Sequence, residues 1–281
     1  MSKKVTLLDG AVGTTLWEIA AKHGVEQVPV WRYNIEHPEL VAELAQNYAA
    51  AGSEIILSNT MAANRPAVEN GSDYDVQEIV RLGVKHVKDA LAGTGAKTCL
   101  AIGPLSTLMA PFGTLKKEDA ARYFGEMVDA GMQEKPDYIY FQTFLDLEMM
   151  KVGVAEAKRY DVPVFATLTF EKHGKTLMGN TVEKVCEELG AMGIDGVGMN
   201  CSLGPELAMP VIKKFSECTD IPIVFKPNAG MPVPQEDGTM KIEATAEEFA
   251  KEVAPALEFV DYIGGCCNCN DDFIREIKKY L

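Results

Sequence analysis

A chain of 281 residues has room for two ordinary domains or one large barrel, and 47% hydrophobic residues can fill a sizeable core. Its formal net charge of −14 argues against a nucleic-acid partner, because phosphate binding needs a cationic surface. No apolar run approaches the roughly 20 residues that span a bilayer. The opening MSKKVTLLDG runs from two lysines into a strand-like segment, unlike a secretory signal. The expectation is a cytoplasmic protein with no membrane partner. Seven cysteines in such a chain do not suggest a disulfide framework; clustered thiols in a reducing compartment are more often metal ligands or nucleophiles.

In chain order one unit recurs: a short apolar run, a glycine-rich or polar turn, then an amphipathic helical stretch. Strands are predicted at Val5–Leu8, Glu54–Ser58, Thr98–Ile102, Tyr138–Gln142, Val164–Thr169, Gly196–Asn200, Ile223–Lys226 and Tyr262–Gly264. Between them fall helical stretches such as Glu39–Ala50, Val76–Ala92, Lys117–Met132, Leu147–Tyr160, Thr181–Met192, Pro205–Cys218 and Ala244–Ala256. Apolar strands alternating with helices indicate a parallel sheet covered by helices. Eight such units in this length fit a (β/α)8 TIM barrel better than an open doubly wound sheet. No linker, charge block or low-complexity tract divides the chain, so one barrel domain over residues 1–281 is expected.

A barrel carries its active site at the carboxyl ends of its strands. Asp9 follows the first predicted strand, Ser58–Thr60 the second, Gly103–Pro104 the third and Gln142–Thr143 the fourth. Cys201 ends the sixth strand, Lys226–Gly230 close the seventh, and Cys266 with Cys267 ends the eighth. The stretches VGMNCSLGP and YIGGCCNCN therefore bring three thiols to one mouth. Three thiolates suit Zn²⁺, which favours sulfur and keeps a fourth tetrahedral position open for water or substrate. Gly264 and Gly265 let the backbone bend so that both following sulfurs turn inward. A zinc-bound thiol loses its proton, so a sulfur nucleophile exists at neutral pH, a setting that suits alkyl transfer.

The competing reading, buried core cysteine, is kept for Cys99, Cys186 and Cys218, which sit in a strand or on helices. Cys269, in a Cys-x-Cys with Cys267, stays open between fourth ligand, redox partner and loop thiol. An iron–sulfur cluster matches none of the common spacings. Asp271 or Asp272 is expected to cap the last helix. None of His23, His37, His86 and His173 ends a strand, which fits chemistry without a histidine acid or base.

The segments LLDGAVGTTL (Leu7–Leu16), SNTMAANR (Ser58–Arg65), GMNCS (Gly198–Ser202), KPNAGMP (Lys226–Pro232) and GGCC (Gly264–Cys267) resemble the zinc-dependent homocysteine S-methyltransferase family. That family includes the homocysteine-binding module of cobalamin-dependent methionine synthase and betaine–homocysteine methyltransferase. The resemblance covers essentially the whole chain and implies a (β/α)8 barrel. It implies zinc on Cys201, Cys266 and Cys267 as the catalytic group, and substrate contacts from Asp9, Gly13, Thr14, Gln142 and Asn200. Asn200, beside a ligand cysteine, is suited to orient the site.

The departures carry as much weight. Where the family usually reads Glu-Thr-Asn-Thr-Phe, this chain has Leu57-Ser58-Asn59-Thr60-Met61; where it reads Glu-Thr, this chain has Gln142-Thr143. The resemblance assigns the second of those lost carboxylates to the ammonium of homocysteine. The loop after the paired cysteines also differs, running Asn268-Cys269-Asn270-Asp271-Asp272. The expectation is a zinc-dependent methyltransferase moving a methyl group to or from a thiol, with homocysteine as acceptor. The donor is a methyl-sulfonium, a quaternary ammonium or methylcobalamin on a separate corrinoid protein, because cobalamin and folate modules are absent from the sequence. One alternative is a component of a corrinoid system acting on a different thiol or methylated substrate. Another is a non-catalytic zinc- or thiol-binding barrel, which fold alone does not exclude.

Overall fold

Short runs rich in Val, Ile and Phe, each stopped by a polar or glycine turn, form the strands. They are β1 (Thr6–Leu7), β2 (Ile55–Leu57), β3 (Lys97–Ile102), β4 (Tyr138–Phe144), β5 (Val164–Leu168), β6 (Gly196–Asn200), β7 (Ile223–Lys226) and, last in the chain, β10 (Tyr262–Ile263). Between β7 and β10 lies a small antiparallel pair, β8 (Val233–Pro234) and β9 (Met240–Lys241). The computed structural model describes residues 4–70, 72–230 and 244–281, with the backbone of 233–234 and 240–241. Met231 and Pro232, which end the quoted KPNAGMP, lie outside the described residues.

The strand order is β1-β10-β7-β6-β5-β4-β3-β2, with every neighbour parallel. The ring closes between β1 and β2 by a single parallel bridge, Leu8 to Ile55, supported by the Glu54 amide donating to the Leu7 carbonyl at 2.7 Å. The result is a (β/α)8 barrel. Its helices are α1 (Gly13–Lys22), α2 (Tyr33–Glu36), α3 (Pro38–Ala51), α4 (Arg65–Val68), α5 (Val76–Ala90), α6 (Lys117–Met132), α7 (Leu147–Ala157), α8 (Val182–Ala191), α9 (Pro205–Cys218), α10 (Ala246–Val253) and α11 (Asp271–Lys278). Side-chain caps set several starts: Asp75, Asp146 and Thr181 each accept a first-turn amide, and Thr245 forms a reciprocal box with Glu248.

The strands sit close to the sequence expectation; two local readings change. The glycine-rich segment after β1 opens α1 at Gly13. The cap of α11 is Asn270, whose side chain accepts the Asp272 amide, while Asp271 and Asp272 occupy the first turn and pair with Arg275. Acidic residues there complement the positive end of the helix. Gly264 and Gly265 have no left-handed backbone; a β-carbon would lie 2.5 Å from the Asp9 carbonyl at Gly264 and 2.3 Å from the Cys269 side chain at Gly265. Glycine is needed there for close approach, not for a bend.

One apolar layer packs between strands and helices, and a second fills the barrel: Leu8, Ile55, Leu57, Cys99, Ala101, Tyr140, Phe165 and Val224. Phe165 packs on Tyr262 and Tyr138, with ring centroids 4.6 and 5.2 Å apart, and fills the amino-terminal end of the barrel. Among the described residues no helix is long and apolar enough to cross a membrane.

A three-cysteine candidate metal centre

Cys201 follows the last residue of β6 in a left-handed conformation (φ 62°), as does Ser202 (φ 57°). A non-glycine residue holds such a conformation only where its surroundings fix it. Here the Cys201 amide donates to the Lys226 carbonyl at 3.0 Å, tying the end of β6 to β7. Across the mouth, the Cys266 amide donates to the Pro227 carbonyl at 2.8 Å and the Cys267 amide to Asn228 Oδ1 at 3.1 Å. The β7 loop thus aligns both cysteine segments.

The three Sγ atoms lie within 4.8 Å of one another, and Cys201 and Cys267 approach to 3.6 Å. Tetrahedral zinc with Zn–S bonds of about 2.3 Å requires sulfurs about 3.8 Å apart, so the donor set fits that ion. Among the described residues no other group of three Cys, His, Asp or Glu side chains is placed to hold an ion. In the cation-free cluster, S–H donation from Cys266 and Cys267 pulls the Cys201 thiol far below the usual range. The same contacts with Cys201 push Cys266 well up and Cys267 to about 11. Metal binding to such a set releases the thiol protons.

Cys269 stands apart from the trio. Its thiol is fully buried, 3.8 Å from the Pro227 carbonyl, and burial raises its pKa. Its carbonyl accepts from the Ala11 amide at 2.8 Å and the Tyr48 hydroxyl at 3.2 Å, so it joins the loops after β10 and β1. Cys99 and Cys186 are buried in the packing layers.

A polar chain climbs from the barrel interior to the sulfurs. The Tyr140 hydroxyl lies 2.9 Å from that of Thr167, and Asn200 Oδ1 accepts from the Thr167 hydroxyl at 2.7 Å and the Thr143 amide at 2.8 Å. Asn200 Nδ2 donates to Thr143 Oγ1 at 2.8 Å and reaches Cys266 Sγ at 3.5 Å. Thr143 is left-handed (φ 67°) at an irregularity in the β4–β5 pairing between Phe141 and Phe144. Asn200 therefore fixes both a strained backbone and a sulfur.

A cavity of about 210 Å³ opens beside the trio. Gly13 and Thr14 of α1, Leu57, Asn59, Gln142, Thr143 and Lys226 line it together with the three cysteines. The first bond of α1 runs from the Leu16 amide to the Val12 carbonyl, so the Gly13, Thr14 and Thr15 amides lie outside the helix's own ladder. Thr14 Oγ1 is buried with no partner. Two expected contact residues stand behind the wall instead. Asn200 acts through Thr143 and Cys266. Asp9 is fully buried, with Oδ1 accepting from Lys226 Nζ at 2.6 Å and Oδ2 from the Leu57 amide at 2.8 Å. Each of its oxygens thus already accepts one hydrogen bond inside the protein.

Sequence reasoning missed Lys226 as a pairing group, and Thr167 and Asn228 as supports. For Lys226 a signal exists: a lysine ends the otherwise apolar run IVFK, and a buried charge requires a partner. For Thr167 and Asn228 nothing in the chain distinguishes them from neighbouring polar residues.

Comparison with known proteins agrees with this geometry. Methionine synthase of Mycobacterium tuberculosis is 26% identical over 301 residues, covering 99% of this chain and 24% of that protein. Its Mycobacterium leprae counterpart is 25% identical with the same coverage. The chain thus spans about a quarter of the length of these relatives. In fold it is similar to the Escherichia coli homocysteine methyltransferase MmuM. The metallated form superposes with TM-score 0.81 at 17% identity, covering 99% of this chain and 97% of that one. The oxidised form gives 0.82 at 19%, covering 99% and 96%. The family model described as homocysteine S-methyltransferase matches residues 6–281, and the chain belongs to that family of S-methyltransferases.

Proposed function

We propose that Cys201, Cys266 and Cys267 hold one Zn²⁺ and that the protein moves a methyl group to or from the sulfur of a thiol bound beside them. The observation that carries this is the spacing of the three sulfurs, with Cys201 and Cys267 3.6 Å apart at the wall of a cavity sized for a small molecule. A zinc ion held by Cys201, Cys266 and Cys267 would favour ionisation of an incoming thiol, supplying a nucleophile at neutral pH. The protein's own part is positioning: Asn200 and Asn228 hold the sulfur-bearing segments, and Gln142, Thr143 and the opening of α1 shape the space for the acceptor. The family implies homocysteine as that acceptor, and it is the first thiol to test. The metallated form of MmuM supports a metal here. A reducing, cytoplasmic setting keeps the three thiols available as ligands.

For the donor, we favour methylcobalamin carried on a separate corrinoid protein. The methionine synthase relatives extend far beyond this chain. Exposed apolar side chains also lie on segments that follow strands: Trp17 and Met61 at the cavity, and Leu108, Phe112, Leu145 and Leu207. Such a surface suits a protein partner.

The test is calorimetric titration of zinc-loaded protein with L-homocysteine and with 2-mercaptoethanol, in two buffers of different ionisation enthalpy. Release of about one proton per bound thiol is expected. No proton release from either thiol, with zinc verified, rejects the proposal.

A further inference from the structure

We infer that the thiol taken by this site carries no ammonium group, and that Lys226 is the residue that decides this; the inference rests on the zinc–thiolate reading above. Homocysteine is a thiol with a carboxylate and an ammonium on the third carbon from sulfur. In a cavity of about 210 Å³, seating the sulfur at the trio brings that ammonium against the lining side chains. A buried ammonium needs a carboxylate or several free carbonyls.

Among the described residues the walls offer neither. No described Asp or Glu lines the cavity, and the one charged lining side chain among the described residues is a cation, Lys226. Asp9 is the acid next to it, but Lys226 Nζ sits 2.6 Å from Asp9 Oδ1 with both side chains nearly inaccessible, at 2% and 0% exposure. An arriving ammonium would have to displace a lysine already in ideal range. The neighbouring carbonyls are also engaged: Ala11 accepts from the Tyr48 hydroxyl at 2.6 Å, and Gly10 lies 3.5 Å from Lys226 Nζ. Leu57 presents only hydrocarbon. Gln142 presents a neutral amide, whose carbonyl solvates a cation far less than a carboxylate does. The lysine thus takes the place that a substrate ammonium would occupy, against the same carboxylate.

Zinc-loaded wild-type protein is titrated with L-homocysteine and with 4-mercaptobutanoate, the same chain without the ammonium, with 2-mercaptoethanol as a control for thiol entry. We expect 4-mercaptobutanoate to bind at least about tenfold more tightly than L-homocysteine, the ratio expected for one unpaired charge. Equal or tighter binding of L-homocysteine overturns the inference while leaving the zinc–thiolate reading intact. Absence of proton release from all three thiols overturns that reading, and the inference falls with it. Gln142→Glu, which adds a carboxylate to the wall without touching the ion pair, is expected to narrow the ratio by about tenfold. A folded Gln142→Glu protein with an unchanged ratio counts against it. Lys226→Gln, if it folds, is expected to shift the preference the same way by releasing Asp9.

Discussion

Two neighbouring parts of the mouth are built on opposite principles. Around the sulfurs, the cysteine segments are closely supported, with Cys201 left-handed and Asn200 and Asn228 bonded to the segments around them. That part of the mouth is the proposed cation site. At the ends of β1 and β7, the strands on either side of β10, Asp9 and Lys226 neutralise each other out of contact with solvent, 2.6 Å apart. That pair is organised for stability. A shared mouth can therefore keep one half reactive while closing the other.

Mutations separate the two. Cys267→Ser removes a ligand and is expected to lower bound zinc to below about a tenth of the parent's, with urea stability of the metal-free chain nearly unchanged. Elemental analysis of the purified proteins checks this, and parental metal content would remove Cys267 from the set. Asp9→Asn does the reverse. It strands a buried ammonium and is expected to cost about 3–5 kcal/mol in urea unfolding, with zinc content close to that of the parent. A smaller effect is expected at Asn200→Ala, where loss of the support for Cys266 weakens zinc binding by about 10–100-fold in chelator competition. Smallest is Cys269→Ala, with about 1 kcal/mol lost from packing and metal content retained. Metal loss as large as in Cys267→Ser would make Cys269 a ligand.

Most of the barrel was legible because parallel strands buried on both faces read as apolar runs. The closing seam was not: β1 and β2 meet through a single bridge, Leu8 to Ile55, which no run of residues marks. α1 was hidden because a glycine-rich stretch reads as a turn until the helix it opens is seen. The cysteine segments were legible from their place after predicted strands, and the family resemblance sharpened them. The Asp9–Lys226 pair was not, since its partners are 217 residues apart and only barrel closure joins them. Cys269 could not be told from a ligand by spacing; its burial against Pro227, away from the trio, separates it.

Asp9 also touches three strands at once. It ends the β1 segment, accepts the Leu57 amide from β2 and accepts Lys226 from β7, while β1 and β2 share only one bridge of their own. The carboxylate is thus a latch on the seam of the ring. Amide exchange at Leu57 reports the state of that latch, and a protein that loses it breathes first at the seam between β1 and β2. Selection on acceptor choice at this corner is therefore also selection on how firmly the barrel stays shut.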